Sequence, residues 1–465
     1  MGRMLYSIHQ LQRRLLDPVA SVAATATRWM GNQSPFTRLA HANTSLLQRL
    51  IKDYPRQSFA ITSVTAHGHD LAVTEHVVLN RPFCRLVRFQ RHSTDAATTA
   101  ALAQDPKVLL CAPLSGHHST LLRDTIATLL HDHDVYLTDW RDARDVPAAV
   151  GAFSLDDYVR QIQECIRTLG AADLHVIAVC QPTVPVLAAI SLMASAGEVT
   201  PASLTLMGGP VDARRNPTAV NKFAVEHSFA WFKKNMIHRV PSPHAGVGRA
   251  VYPGFIQLNA FVMMNPLRHL ASYQTYWMDQ LRGPDGADAV QHHERFYDEY
   301  NSVLDMDAAY YLDTVRLVFQ EFGLAQGTWR IDGQLVEPSA ITRTALFTIE
   351  GAHDDISGLG QTEAAHALCS NISAADKKHL VAEGCGHYGL FAGHRWRETI
   401  YPEISAFVRA HQRVTPMAIR ALPVVSSASI ETSATSVANA TSVANVTSVA
   451  NIASVGSATD DEALS

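Results

Sequence analysis

Short apolar runs and amphipathic helical stretches alternate from residue 63 to residue 413, and this rhythm restricts the fold more than any other feature. Runs at 71–79 and 84–90, separated by Asn80-Arg81-Pro82-Phe83, read as two leading antiparallel strands. A short buried strand at 107–113 follows, then a helix at 119–131 and a strand at 134–139. The next helix opens on the capping-box start Ser154-Leu155-Asp156-Asp157 and runs to Leu169. Residues 174–179 are apolar almost throughout, as a strand buried on both faces must be, and lead straight into Cys180 and a helix ending near Ala196. Strands at 203–207, 344–350 and 378–382, with helices at 361–368 and 396–411, complete the series. Such alternation makes a mostly parallel, doubly wound α/β sheet.

The rhythm breaks between residues 212 and 340. That stretch is helical in pattern and dense in aromatic residues, and Asp332-Gly333 near its end is a hairpin signal. An insertion at this point of the sheet forms a helical cap over the carboxyl edge, its rings serving as cap core more often than as ligand contacts. Ahead of the sheet, Leu5, Ile8, Leu11, Leu15, Val19 and Val22 fall at helical spacing, with Arg3, Arg13 and Arg14 on the other side. Asp17 interrupts a twin-arginine export reading of this stretch. An amphipathic helix docked on a surface or partner fits it, as does a helix packed on its own domain. Beyond Pro423 the composition collapses to Ser, Thr, Ala, Val and Asn, with the unit Thr-Ser-Val-Ala-Asn repeating at Thr435, Thr441 and Thr447. Such a tail lacks the large apolar groups that offset ordering entropy. The divisions expected are therefore an N-terminal helical segment (1–62), a core (63–211 with 341–413), the cap insertion (212–340) and a disordered tail (414–465).

A net charge of -5 gives no support to nucleic-acid binding, and no apolar run reaches the roughly 18 residues of a membrane-spanning helix. The six cysteines show no short metal-type spacing, so they read as reduced thiols, mostly in the core, with no metal site.

Cys180 is the exception. It sits in Ala178-Val179-Cys180-Gln181-Pro182, where a buried strand turns sharply into a helix, and that turn exposes a nucleophile beside a helix N-terminus. Alanine is small enough to pack closely in the turn, and proline just inside the helix start loses no needed N–H. A cysteine so placed beside a histidine reacts as its thiolate. An acid is expected at the end of strand 344–350, in Gly351-Ala352-His353-Asp354-Asp355; the spacing favours Asp354, with Asp355 the alternative. A histidine is expected after the last strand, in Gly384-Cys385-Gly386-His387-Tyr388-Gly389. The chain order nucleophile, acid, histidine suits His387 as general base and acid, oriented by the aspartate. Cys385 is a rival nucleophile, but no strand leads from it into a helix. The backbone N–H of Gln181, with that of Leu114 or Ser115 after strand 107–113, would form the oxyanion hole. The loop through Asp139, Trp140, Arg141 and Asp142 either lines the site or is a structural ion-pair loop.

On these motifs the chain resembles the intracellular polyhydroxyalkanoate depolymerases of the α/β-hydrolase superfamily. The resemblance rests on Val179-Cys180-Gln181-Pro182-Thr183, Leu206-Met207-Gly208-Gly209-Pro210, Arg249-Ala250-Val251-Tyr252-Pro253-Gly254-Phe255, Glu350-Gly351-Ala352-His353-Asp354-Asp355 and Gly386-His387-Tyr388-Gly389, and it reaches from Met4 to about Arg413. It implies an α/β-hydrolase fold and a cytoplasmic, granule-associated enzyme that cleaves poly(3-hydroxybutyrate) through Cys180, Asp354 and His387 by way of an acyl-thioester. It also implies the polymer granule surface as partner, water or coenzyme A as acyl acceptor, and no cofactor. Three other readings share the motif: a polyhydroxyalkanoate synthase-like acyltransferase, which Pro182 argues against; a general cytosolic esterase or thioesterase; and a non-enzymatic granule-coat protein.

Overall fold

A computed structural model of the chain describes residues 2–29, 34–264 and 266–413. The repeat segment expected to be a disordered tail, 414–465, lies outside the described residues. The chain opens with two helices, α1 (Gly2–Trp29) and α2 (Pro35–Ile51). Ser34 caps α2 by accepting the N–H of Thr37 at 3.2 Å, and Pro35 fills the first helical position, where no N–H is needed.

A nine-stranded sheet follows: β1 (Ser63–Ala66), β2 (His69–Asn80), β3 (Cys84–His92), β4 (Lys107–Cys111), β5 (Asp134–Trp140), β6 (Leu174–Val179), β7 (Ser203–Met207), β8 (Ala345–Gly351) and β9 (Lys377–Ala382). Their spatial order is β1-β2-β3-β5-β4-β6-β7-β8-β9. β1, β2 and β3 are antiparallel, and β3 joins β5 antiparallel. The strands from β5 to β9 run parallel to one another. The sheet is mostly parallel, as the strand–helix alternation predicts, and its order and the placement of its connections are those of the α/β-hydrolase fold. The sequence reading missed β1, whose Ser-Val-Thr-Ala alternates exposed and buried side chains but is only four residues long. Its hairpin is set by His67 and Gly68, both at positive φ (51° and 80°), the turn that matches strand twist.

Two helices behind the parallel strands show why the pattern was legible. In α3 (Leu155–Leu169) the buried side chains are Leu155, Tyr158, Val159, Ile162, Cys165 and Ile166, one stripe at helical spacing. Ser154 and Asp157 cap it reciprocally, at 3.1 and 2.8 Å. In α4 (Thr183–Ser195) the first eleven residues are all buried, so this helix lies inside the molecule rather than on it. The helix expected at 361–368 is reduced to Ala365–Leu368. Buried Glu350 is the cause: its carboxylate takes the backbone N–H groups of Gly360, Thr362 and Glu363 at 2.7–3.0 Å and holds that stretch as turns.

Between β7 and β8 the chain builds mostly helices, among them α5 (Gly254–Met264), α6 (Pro266–Arg282) and α7 (Ala287–Tyr300). It also forms a small three-stranded sheet of two- and three-residue strands, too short for periodicity to detect. Asp332 and Gly333 make the predicted hairpin, at φ 51° and 81°. α1 and α2 pack on each other, and α2 packs on α6. Arg49 and Lys52 reach Asp298 at 2.6 and 2.7 Å, Trp277 donates to Asn43 at 2.9 Å, and buried Tyr6 donates to buried Asp305 at 2.5 Å. The N-terminal segment is thus fastened to the cap.

Candidate active site

The carboxyl ends of four neighbouring parallel strands converge on one point. Val179 pairs with Met207, Met207 with Ile349, and Gly351 with Ala382, so the loops after β6, β7, β8 and β9 leave the sheet side by side. Cys180 follows β6 with φ 66°, a left-handed conformation that side-chain-bearing residues rarely adopt. The turn is held from both ends. The N–H of Cys180 donates to the carbonyl of Met207 at 2.7 Å, and its own carbonyl accepts from Thr183 at 3.1 Å. Room for this turn depends on Gly209, where any Cβ would collide with the Cys180 carbonyl and the Thr183 hydroxyl. Among the six cysteines, all free, Cys180 alone is not buried.

Asp354 lies three residues beyond β8. Its Oδ1 accepts the backbone N–H groups of Ile356 and Ser357 at 2.9 and 2.8 Å, and its Oδ2 meets Nδ1 of His387 at 2.7 Å. The acid and histidine loops are tied by the N–H of His353 donating to the Cys385 carbonyl at 2.9 Å. Asp355, the alternative acid, is exposed and faces a cavity instead. His387 is 6% exposed. Burial alone would push its imidazole down, but the charges of Asp354 and Cys180, and hydrogen bonds to both, hold it well above the usual histidine range. Asp354 thus holds the ring at Nδ1, and Cys180 lies near enough to favour its charged form. Cys385 has a different setting: it is buried, its thiol is pushed up first by burial and then by Asp354, and its sulfur donates to the Gly386 carbonyl at 3.4 Å.

Leu114 and Ser115 follow β4 beside this point. Their loop is fixed by the Gln257 side chain donating to the Ser115 carbonyl and by Leu304 donating to the Gly116 carbonyl at 2.7 Å. No hydrogen bond among the described residues uses the backbone N–H of Leu114, Ser115 or Gln181. Asp139 and Trp140, expected in a loop, are the last two residues of β5, and they take the structural role. Asp139 binds Arg56 at 2.9 Å and also Arg85 and Ser119, and Trp140 donates to the Ala112 carbonyl at 2.8 Å. Sequence reasoning gave no role to Gln257, Gly209 or Tyr388. The signal for Tyr388 was its place directly after the histidine.

Gly386, His387, Tyr388 and Gly389 form one end of a cavity of about 1040 Å³ that continues between α6 and α7. Among the described residues, no group of His, Cys, Asp or Glu has the arrangement that holds a metal ion. Among the same residues, no helix is long and apolar enough to cross a membrane.

Residues 208–412 match the family described as PHB de-polymerase C-terminus. That span is a little under half of the chain. The match takes in the cap, Asp354 and His387, with Cys180 lying just ahead of it, and it puts the chain among the ester hydrolases. No curated protein matches the chain. Similar solved structures include a chain of Acinetobacter baumannii AYE assigned as a lipase (12% identity, TM-score 0.42, covering 74% of this chain and 93% of that one). Another is a carboxylesterase structure from Nitrososphaera gargenis (11%, 0.38, 75% and 99%). A third is the 2-hydroxy-6-oxo-6-phenylhexa-2,4-dienoate hydrolase of Rhodococcus sp. strain RHA1 (14%, 0.37, 73% and 99%). At these values they add nothing to the topology already described.

Proposed function

We propose that this protein is an intracellular poly(3-hydroxybutyrate) depolymerase that works through Cys180, His387 and Asp354. The observation that carries the reading is the ring of His387, held by Asp354 at 2.7 Å and raised in its titration by a nearby cysteine that sits at φ 66° on a strand-to-helix turn.

In this reading the thiol proton of Cys180 passes to His387, the sulfur attacks the ester carbonyl carbon, and the charge that develops on oxygen is met by the N–H of Gln181 and that of Leu114 or Ser115. The carbon–oxygen bond to the alcohol-side strand then breaks, and His387 gives its proton to the departing oxygen. An acyl-thioester on Cys180 remains. Water, losing a proton to His387, attacks it and releases the acid end with the sulfur restored. Coenzyme A is the other acceptor of suitable chemistry, transferring the acyl group to its own thiol.

The cytoplasmic granule surface as partner is supported by the apolar side chains that α1, α2 and α6 leave exposed. They include Leu11, Leu15, Val19 and Val22 on α1, Phe36 on α2, and Leu267 on α6, the last two about 80% exposed (80% and 79%). These helices pack on one another, and an apolar solid surface is what such side chains would cover.

The test is release of soluble 3-hydroxybutyrate from amorphous granules by the wild type and by Cys180→Ala. Release by the wild type alone is expected. Equal release by both removes Cys180 from the mechanism. Activity of the wild type on small soluble esters only, with none on granules, replaces this reading with that of a general esterase.

A further inference from the structure

The cavity beside His387 runs on well past the reacting atoms. From Gly386, His387 and Tyr388 it passes Phe261, His269 and Tyr300 and ends near Asp279 and Ala289, where α6 turns into α7. The near end is fixed by ring contacts: Tyr300 lies 6.3 Å from Tyr388, and His269 lies 5.1 Å from Tyr300, centroid to centroid. From His269 to Asp279 the wall is ten residues of one helix, about 15 Å at the usual rise.

The walls suit a neutral, weakly polar ligand. The ring hydroxyls are already engaged: His269 joins Tyr297 at 2.9 Å and Tyr300 at 3.3 Å, and Tyr276 donates to Glu294 at 2.9 Å. What these residues offer a ligand is largely ring surface. The charged residues along the cavity are of both signs, Arg268 and Arg295 against Asp279, Asp288 and Asp355, and Asp279 is neutralised by Arg282 at 2.6 Å, so the walls give no strong net attraction to an anion or a cation.

The cavity also opens on one particular side. It is lined by His387, the group that protonates the departing oxygen, and it does not include Cys180, Gln181 or Leu114, which surround the acyl carbonyl. A strand lying in it is therefore the alcohol side of the scissile ester. Three main-chain bonds of an extended peptide span about 3.5 Å. The four bonds of a 3-hydroxybutyrate repeat then span roughly 4.7 Å, and 15 Å holds about three repeats.

Resting on the depolymerase reading above, we propose that the crevice between α6 and α7 is a binding site for about three repeats of the alcohol-side polyester strand. The enzyme thereby measures off its first product and releases short oligomers rather than monomers.

The experiment uses the full chain and methyl esters of 3-hydroxybutyrate oligomers from two to eight units, with kcat/KM and the position of the cut read by mass spectrometry. Catalytic efficiency is expected to climb by about tenfold for each added repeat until three lie on the alcohol side, then level off. The cut should fall three units from the methyl ester. Ala289→Trp, and independently Thr275→Trp, obstruct the crevice away from the reacting atoms. Either should bring long oligomers down to the rate of short ones and leave 4-nitrophenyl butyrate hydrolysis unchanged. Cleavage with no dependence on length, or cuts scattered along the oligomer, overturns the crevice assignment and leaves the depolymerase reading standing. So does an unaltered length profile in both tryptophan variants. Failure to cleave any hydroxybutyrate ester, short or long, overturns both.

Discussion

Oδ2 of Asp354 meets Nδ1 of His387 at 2.7 Å, while Oδ1 of the same carboxylate is held by two backbone N–H groups of its own loop. An oxygen fixed in this way presents the other to the ring at a set angle and selects the tautomer with its proton on Nδ1. Asn at 354 would keep the shape and reverse the hydrogen bond. Asp354→Asn is expected to lower kcat for ester cleavage by about 10³–10⁴-fold. Asp355→Asn, in a residue that faces the cavity, is expected to stay within about tenfold. Steady-state rates on a soluble ester separate the two.

The raised titration of His387 has a direction that Cys180 helps to set. The fold favours the charged ring. This residue therefore adds stability that is fully present below the ordinary histidine value of about 6.5 and is lost as pH rises through the higher folded value. Removing the sulfur takes away one of the raising influences. In Cys180→Ala the His387 ring should titrate lower than in the wild type, as read from its ring proton shifts against pH. An unchanged midpoint would show that the two side chains do not interact. The same variant should lose about 10⁴-fold in ester cleavage.

Gly209 tests the turn without altering Cys180, Asp354 or His387. A methyl group placed there meets the Cys180 carbonyl and the Thr183 hydroxyl, both within the elbow. Gly209→Ala is expected to cost about 1–3 kcal/mol of stability and to reduce activity with it, measured by chemical denaturation and by rate.

Asp142 and Asp305 are both fully buried beside one cation, Arg144, and burial followed by their mutual repulsion holds Asp142 well above the carboxylate range. A carboxyl raised in the fold binds protons more tightly there than in the unfolded chain, so stability falls as pH rises from about 3.9 through the folded value. Asp305→Asn should flatten that fall. Tyr6→Phe removes the hydroxyl that donates to Asp305 and is expected to cost about 1–3 kcal/mol. Thermal unfolding between pH 4 and 8 reads both effects.

Leu15 and Val19 are exposed on α1, away from the reacting residues. The double change to Glu should reduce co-sedimentation with amorphous granules by about tenfold or more, with hydrolysis of a soluble ester unaltered. Equal loss of both activities would point to damage of the fold instead.

Much of the core was legible because its signals are local. The stripe Leu155, Tyr158, Val159, Ile162 announces a helix, and the unbroken apolar run into Cys180 announces a buried strand with something exposed at its end. Chain order was enough to nominate Asp354 and His387. What stayed hidden depends on distant partners. Residues 360–363 look helical until Glu350, from the preceding strand, takes their N–H groups. Gln257 bears on the Ser115 loop only because the cap folds back over β4, and the crevice between α6 and α7 exists only when the two helices meet. The choice of Asp354 over Asp355 also needed coordinates, since neighbouring aspartates in a loop differ only in where each one points.

The residues that converge at the sheet edge are far apart along the folded chain. Cys180 ends one strand, His387 follows the last, and the whole cap intervenes between the turn at Gly209 and the acid at Asp354. No segment holding only some of these parts has two of them in contact with the third. Loop-closure entropy makes such distant pairings slow to form. On refolding from denaturant, helical signal should therefore return well before hydrolysis does, and the return of catalysis should report closure of the complete sheet.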